Sequence, residues 1–292
     1  RERSHFDGQD VLENGYTRAH AAQSGWLNRA LAAIPAERVT DPELGVALGQ
    51  NIPLVMRGPA AVTSWSPSKL AALDEDTLER ITDLYSGDPV LAGRLADALA
   101  ADAIAESPMM STGGTMKPGG AARYAEVVHA AAEFLRRDDG PKVAVFDTTG
   151  WDTHANEGAA QGQLAGRLAA LDSGLRTLKQ QLGPVWNDTA VLLATEFGRT
   201  AAINGTRGTD HGTAAAAFLV GGAVRGGRVI ADWPGLSSRA LYQGRDLMPT
   251  QDMRSVLKGV MEEHLSIPAR ALDTTVFPDS GAAKALSGLV RT

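Results

Sequence analysis

The sequence predicts an α/β fold with a parallel sheet, and three features between Lys142 and Gly212 support this prediction. Two short apolar runs, at 143–146 and 190–194, have the length and composition of strands buried on both faces. Helical patterns precede and follow each run. Polar side chains come directly after each run, and in open parallel sheets the ligand site lies beyond such strand ends.

The N-terminal residues 4–34 are predicted to be helical. Ser4 is a good N-cap, with Asp7 at the capping-box position, and the first helix should end near Gly15. A second helical piece stops before Pro35.

The sequence pattern changes between about 40 and 120, and we expect this segment to form a small helical cap or insertion. Helices are predicted over 74–84 and 89–106, where the apolar spacing follows one helical face. The pieces 53–56 and 61–65 fit either edge strands or loops.

A regular α/β pattern follows from residue 121. One helix is expected over 121–137, before the first apolar run. The next helix carries the strongest periodic signal, which we interpret as core facing the sheet rather than a partner-binding zipper. Its leucines are Leu164, Leu168, Leu171, Leu175, Leu178 and Leu182.

Residues 215–220 predict another buried strand. The glycine-rich piece at 221–230 lacks the spacing of a phosphate loop and predicts a turn into a short strand. A final helix is expected over about 250–265. We expect a single domain over 1–292, with the cap at about 40–120 inside it.

Composition excludes several classes of function. The chain has 292 residues, a net charge of -6 and a pI near 5.5, so no basic footprint for nucleic acid or an anionic membrane is present. It has no cysteine, which removes thiolate catalysis and cysteine-ligated metal centres. No apolar run approaches the ~20 residues of a membrane span. The chain begins at Arg1 without an initiator Met, and we expect a segment to precede it.

The polar clusters contain residue types that bind divalent metals. Asp152 and His154 are separated by one residue, which in extended backbone puts both on the same side. Asp210-His211 offers two more ligands and Glu196 a fifth. Imidazole with carboxylate and no sulfur suits zinc, manganese or iron, whereas magnesium or calcium would use the carboxylates alone.

Structural roles remain as alternatives for these residues. The two aspartate-histidine pairs could cap or brace turns, and Glu196 could simply pair with Arg199. Structural roles are the better interpretation for three other histidines, His20, His129 and His264.

Five motifs occur in order along the chain. They are Ser4-His5-Phe6-Asp7, Gly150-Trp151-Asp152-Thr153-His154-Ala155-Asn156, Thr195-Glu196-Phe197-Gly198-Arg199-Thr200, Gly208-Thr209-Asp210-His211-Gly212, and Val220-Gly221-Gly222 with Asp232-Trp233-Pro234-Gly235-Leu236. Together they resemble the family called domain of unknown function 1501, which is grouped with the alkaline phosphatase and sulfatase superfamily and is usually made with a twin-arginine export signal. The resemblance covers nearly the whole chain and is weakest between about 40 and 120.

The resemblance implies a three-layer α/β/α sandwich of the alkaline phosphatase type, with one or two metal ions and a hydroxyl nucleophile at a helix N-terminus. Asp152 and His154 would match a metal-binding segment, Glu196 a strand-end ligand position, and His211 the later metal histidine.

By the same likeness, Ser4 stands where relatives carry the nucleophile, and Arg199 could hold an anionic group of the substrate. The chain departs from the superfamily at three places. The spacing from Asp152 to His154 is tighter than in alkaline phosphatases, and Phe197 replaces a histidine. The strand that carries an aspartate ligand would lie before Arg1. Asp147 could stand in for that ligand.

The residues and the resemblance together predict a metal-dependent hydrolase of phosphate or sulfate esters, and the resemblance alone implies export to the periplasm or outside the cell. The expected partner is a small anionic ester and the expected cofactor a divalent ion, zinc first, with manganese, calcium or magnesium as alternatives. The competing hypothesis is a non-catalytic scaffold or binding protein of the cell envelope. The hydrolase would use Ser4 and Arg199, with its metal held by Asp152, His154, Glu196, Asp210 and His211.

Overall fold

The fold is mixed α/β, with a small parallel sheet and helices packed against it. The computed structural model describes residues 2–39, 43–67, 75–105 and 120–291. The sheet has the strand order β2-β1-β3, and the strands span β1 (Gly45–Leu48), β2 (Val62–Trp65) and β3 (Val143–Val145). All pairs are parallel, with Gly45 opposite both Val62 and Val143.

Eight α-helices are found among the described residues. Their bounds are α1 (His5–Asn14), α2 (Trp26–Leu31), α3 (Glu75–Tyr85), α4 (Pro89–Ala105), α5 (Gly120–Leu135), α6 (Gln163–Leu182), α7 (Met253–Leu265) and α8 (Ala269–Ala271). Among the described residues, no helix has the length and apolar character needed to cross a membrane.

Strand β1 lies at the centre of the sheet. Val46 and Ala47 are fully buried, and Leu48 is nearly so. Both β1 and β2 come from the segment for which we expected a helical cap, so the helical interpretation applies there to α3 and α4 only. The piece 53–56 forms a 3-10 turn rather than a strand.

The second apolar run forms β4 (Val191–Leu193), which pairs antiparallel with β5 (Phe218–Val220) in a separate two-stranded sheet. The expectation that these runs are strands is confirmed. The expectation that the second run lies in the parallel sheet is wrong, because among the described strands β4 pairs only with β5, and antiparallel to it. The expectation of full burial is also wrong, because the side chains of β4 are only partly buried and Phe218 is 57% exposed. The short strand expected near 229–230 is absent from the described residues, and Val229 is almost fully exposed.

Helices α5 and α6 pack together over the sheet. Val128 and Phe134 of α5 share one buried cluster with Leu178 and Leu182 of α6 and with β1. The periodic leucines of α6 therefore belong to the core in the C-terminal half of this helix. They are not core throughout, because Leu168 is 47% exposed.

A second cluster joins α2 to the C-terminal part of the chain, and it includes Leu31, Met56, Met261 and Phe277. Helix α1, whose first residue is His5, is tied to this cluster by hydrogen bonds. Trp26 Nε1 donates to the Leu12 carbonyl, and the Val55 N–H donates to Glu13 Oε2.

Asp252 is the N-cap of α7, its side chain accepting a hydrogen bond from the Arg254 backbone N–H.

Candidate metal centre

The carboxylate of Asp152 lies at the centre of the candidate site. Its Oδ1 is 2.9 Å from His154 Nε2 and 3.0 Å from His211 Nε2. Its Oδ2 is 3.1 Å from His5 Nε2. Three imidazoles thus meet one carboxylate, although they come from three distant parts of the chain.

The other nitrogen of each imidazole faces an oxygen acceptor. The contacts are His5 Nδ1 to Glu196 Oε1 at 2.7 Å, His154 Nδ1 to Asp210 Oδ1 at 3.3 Å, and His211 Nδ1 to the Arg3 carbonyl oxygen at 2.7 Å. A carbonyl oxygen or an ionised carboxylate only accepts, so His154 and His211 donate from Nδ1. The proton-free nitrogen of either neutral ring is then Nε2, on the side of Asp152, whereas His5 has a carboxylate against each of its nitrogens.

The two Nε2 atoms of His154 and His211 lie 3.0 Å apart. In the neutral rings these are two lone pairs facing each other and the same carboxylate oxygen. Such a set of acceptors repels itself unless a proton or a cation lies between them. Metal-binding histidines show this pattern, with the outer N–H donated to a carboxylate or carbonyl.

Asp152 and His154 lie on irregular backbone that follows β3. The loop at 208–212 runs beside them and beside Arg199, which forms an isolated bridge with His211. This close approach requires glycine. A Cβ on Gly208 would come within 2.3 Å of the His154 carbonyl carbon, and one on Gly212 within 2.6 Å of the Arg199 carbonyl carbon.

Helix α1 brings His5 to the site. Ser4 is its N-cap, with Oγ accepting from the Asp7 N–H at 3.5 Å, and His5 is the first helical residue. The ring of His5 packs on Phe197 at 4.8 Å, and Phe197 packs on His211 at 4.4 Å. Phe197 is 7% exposed and forms an apolar floor beneath two of the imidazoles.

All three side-chain nitrogens of Arg199 donate hydrogen bonds within the protein. Its Nη1 donates to Asp152 Oδ1, its Nε to Thr209 Oγ1 at 3.0 Å, and its Nη2 to the Thr209 carbonyl. Thr209 Oγ1 in turn donates to Glu157 Oε2 at 2.6 Å. The guanidinium therefore fixes the orientation of Asp152 and of the 208–212 loop.

The electrostatics of the site keep its central carboxylate ionised. Burial opposes ionisation of Asp152, but hydrogen bonds from Arg199 and His5 and the positive charge around it outweigh burial and hold its pKa well below the usual range. Hydrogen bonds to Glu196 and then Asp152 raise the pKa of His5. Hydrogen bonds from Asn204 and His154 lower the pKa of Asp210.

Asp147 stands apart from these contacts. It is solvent-exposed, and none of the described side-chain hydrogen bonds joins it to an imidazole of the cluster. Partial desolvation of the carboxyl group by the surrounding chain is the larger cause that raises the pKa of Asp147, and the negative charge of Glu196 is the second. It lies near Glu196 without joining the group around Asp152.

The three polar clusters that the sequence singled out do meet. Asp152, His154 and His211 contact one another directly, whereas Glu196 and Asp210 lie on the outer side of histidines. Among the described residues, no side-chain hydrogen bond joins Ser4 Oγ to a histidine.

The sequence analysis assigned no role to His5 itself or to the Arg3 carbonyl. His5 nevertheless belongs to a group of described residues that could hold a metal ion, together with Asp152 and His211, with ligand atoms within 4.8 Å of one another. One sequence feature could have identified His5 as a site residue. It lies directly after the N-cap Ser4, inside the motif Ser4-His5-Phe6-Asp7.

The other histidines lie elsewhere. His20 is beside Asp7 and Asp10, and His129 Nδ1 is 3.2 Å from Gln181 Oε1 on the α5–α6 contact. His264 lies in the last turn of α7.

Comparison with known proteins gives one match. The model of the family described as protein of unknown function (DUF1501) matches residues 2–276, nearly the whole chain. Neither a curated protein nor a solved structure matches. The matched range contains every residue of the cluster around Asp152, and the chain belongs to the DUF1501 family.

Proposed function

We propose that this protein is a divalent-metal-dependent hydrolase of phosphate or sulfate esters. The observation that carries the proposal is the convergence of His154 Nε2 and His211 Nε2 on Asp152 Oδ1, with separations of 2.9–3.0 Å. Three acceptors held this close support a cation site over a simple hydrogen-bond network.

The donor set fits a divalent metal, with zinc first and manganese, calcium or magnesium as alternatives. Imidazole nitrogen and carboxylate oxygen are ordinary zinc ligands. His154, His211 and Asp152 would hold the ion, with His5 on the second oxygen of the same carboxylate. A bound divalent ion would supply Lewis acidity toward an ester oxygen and toward a water or hydroxyl.

Glu196 and Asp210 take a different role in this proposal from the one suggested by sequence. Each accepts from the Nδ1–H of a histidine, which orients the ring and makes the opposite nitrogen a better ligand. We assign them as orienting carboxylates of His5 and His154.

Positive charge beside the imidazoles favours an anionic substrate. Arg199 is largely occupied by Asp152 and Thr209. Arg245 is better placed for a ligand, because its side chain is 41% exposed while its Nη2 donates to the His211 carbonyl at 2.5 Å. A guanidinium in this position suits the oxygens of a phosphate or sulfate ester.

Ser4 is the proposed nucleophile. Its backbone neighbours on both sides belong to the site, since the Arg3 carbonyl accepts from His211 and the His5 ring contacts Asp152. Its Oγ accepts a helix-capping hydrogen bond, which leaves the hydroxyl proton free for donation. A water molecule is the alternative nucleophile.

Two finer assignments rest on the resemblance of the motifs alone. They are the alkaline phosphatase-like three-layer sandwich and export from the cytoplasm. The parallel sheet with helices is compatible with the sandwich and does not distinguish it from other α/β arrangements.

A non-catalytic scaffold is the second candidate, and one observation favours it. Arg199 already donates to Asp152, and hydrogen bonds to two carboxylates favour the charged form of His5. The cluster could therefore be neutralised without any metal, as a structural ion-pair network.

The test is a panel of aryl phosphate and aryl sulfate esters assayed with and without a chelator. Turnover that a chelator abolishes and added zinc restores supports the metal-dependent hydrolase. Turnover insensitive to chelator removes the metal from the mechanism, and no turnover with any ester favours the scaffold. The matched variants are His211→Ala, which should be inactive, and His20→Ala, which should retain activity.

A further inference from the structure

The N-terminal segment is held onto the site by one buried carboxylate. Arg3 Nε donates to Asp246 Oδ2 at 2.8 Å and Nη2 to the same oxygen at 2.5 Å. Nη2 also donates to Gln243 Oε1 at 2.8 Å, and the guanidinium lies 5.9 Å from the centre of the Tyr242 ring. The Asp246 side chain is 0% exposed, whereas that of Arg3 is 31% exposed.

Because the Asp246 carboxylate is buried, loss of its contact with Arg3 is costly. Asp246 Oδ1 accepts no hydrogen bond, and Arg245 Nε lies 3.6 Å from it. Removing Arg3 would leave a buried carboxylate with little compensation, which is costly. The pair therefore holds the backbone of Arg3 in one place.

The backbone of Arg3 is what reaches the site. Its carbonyl oxygen accepts from His211 Nδ1 at 2.7 Å, and a carbonyl cannot donate. As long as that oxygen stays there, His211 keeps the tautomer with the proton on Nδ1 and the lone pair of Nε2 toward Asp152 and His154.

The backbone of Asp246 also pairs with the segment that follows Arg199. Its backbone bridges Thr200, the residue after Arg199, and Arg199 bridges His211. One residue thus connects the segment before α1 with the 199–211 hairpin.

We propose that Asp246 is a positioning residue that sets the tautomer of His211 and the place of His5 by clamping Arg3. The part that concerns cation binding rests on the proposed function, whereas the tautomer does not. Three groups thus support the site although they touch no candidate ligand atom directly: Asp246, Gln243 and the side chain of Arg3.

The experiment measures the tautomer directly by long-range proton–nitrogen correlation NMR of the histidine rings at pH 8, with the His211 signals assigned from a His211→Gln variant. In the wild-type protein, His211 should carry its proton on Nδ1. In Arg3→Gln and in Asp246→Asn, the signals of His211 should move toward the Nε2–H form or an average of both, and those of His5 should shift as well.

The same variants are titrated with Co²⁺ by absorption spectroscopy. Loss of an outer-shell partner weakens metal binding by roughly 10-fold to 100-fold, and we expect a loss of this size in both variants. Arg3→Lys keeps the charge and should recover part of the affinity and of the Nδ1–H signal. Arg254→Gln is the matched control, because it removes the arginine of another arginine-aspartate pair, at 2.7 Å from Asp252 on α7.

The outcomes separate the two proposals. A wild-type protein that binds no Co²⁺ and hydrolyses no ester, but in which Arg3→Gln changes the His211 tautomer, removes the proposed function and keeps the clamp. An unchanged tautomer and unchanged Co²⁺ affinity in folded Arg3→Gln overturn the clamp. If Asp246→Asn fails to fold, Arg3→Gln decides the matter.

Discussion

His154 Nε2 and His211 Nε2 lie 3.0 Å apart, although the two residues are 57 positions apart in the chain. Each ring gives its Nδ1 proton to an oxygen on the outside, Asp210 for one and the Arg3 carbonyl for the other. Both lone pairs then point at Asp152. This arrangement favours a positive ion at the centre, and each prediction about the site below depends on it.

Asp210→Ala should weaken zinc binding by about 10-fold to 100-fold, because the ring of His154 loses the acceptor that orients it. Isothermal titration calorimetry with Zn²⁺ measures the change. Asp172→Ala is the control, since that aspartate pairs with Arg176 on the exposed face of α6. Equal affinity in Asp210→Ala and the wild type would mean that Asp210 does not support the site.

Gly208→Ala should destabilise the protein by roughly 1–3 kcal/mol and weaken metal binding, because the new Cβ would lie 2.3 Å from the His154 carbonyl carbon. Gly205→Ala in the same loop has nothing within 4 Å of the added Cβ and should stay within about 0.5 kcal/mol of the wild type. Urea denaturation measures both. Similar stabilities of the two variants would contradict the close approach of the loops.

Lys258→Met should destabilise the fold by about 3 kcal/mol, whatever the function is. The side chain is almost fully buried, and its Nζ donates to Asp273 at 2.5 Å and to the Ser280 and Ala283 carbonyls at 2.9 Å. The two carbonyls would lose their partner. Exposed Lys284→Met is the control and should change the free energy of unfolding little.

Glu263 should make stability depend on pH. Burial opposes its charge, but the backbone N–H groups of Val290, Gly288 and Leu289 donate to it and lower its pKa below the ordinary value of 4.5. A carboxyl with a depressed pKa in the folded state stabilises the protein above its unfolded pKa, and this contribution is lost as pH falls through the folded pKa.

The Glu263→Gln variant measures that contribution. It should be less stable than the wild type by about 1–2 kcal/mol at pH 7, and the difference should shrink below pH 4.5. Urea denaturation at several pH values gives the comparison, with exposed Glu262→Gln as the control. A difference that stays constant from pH 7 to pH 3 would contradict this role for the Glu263 charge.

Much of the fold could be predicted from sequence because its signals are local. The N-cap at Ser4 and the helices α5 and α7 all follow from neighbouring residues in the sequence. Strand β1 was missed, since four residues that include glycine and alanine carry little strand preference, and its burial comes from distant partners. The pairing of β4 with β5 likewise depends on tertiary contacts.

The candidate site was likewise only partly predictable from sequence. Strand-end clusters indicated that Asp152, His154 and His211 would meet. Sequence could not separate a ligand from a residue that orients one, because Glu196 and Asp210 have the same chemistry as ligands. It also gave no sign of the Arg3 carbonyl, because a backbone oxygen contributes through position and not through residue type.

The most direct measurement of the central claim is the zinc content of the protein after loading and extensive dialysis, by elemental analysis, for the wild type and for the His154→Ala/His211→Ala double variant. We expect about one zinc ion per wild-type chain and none above background in the folded double variant. A wild type that retains no zinc, manganese, calcium or magnesium after loading with each ion, or a double variant that retains as much zinc as the wild type, would contradict a metal site at Asp152.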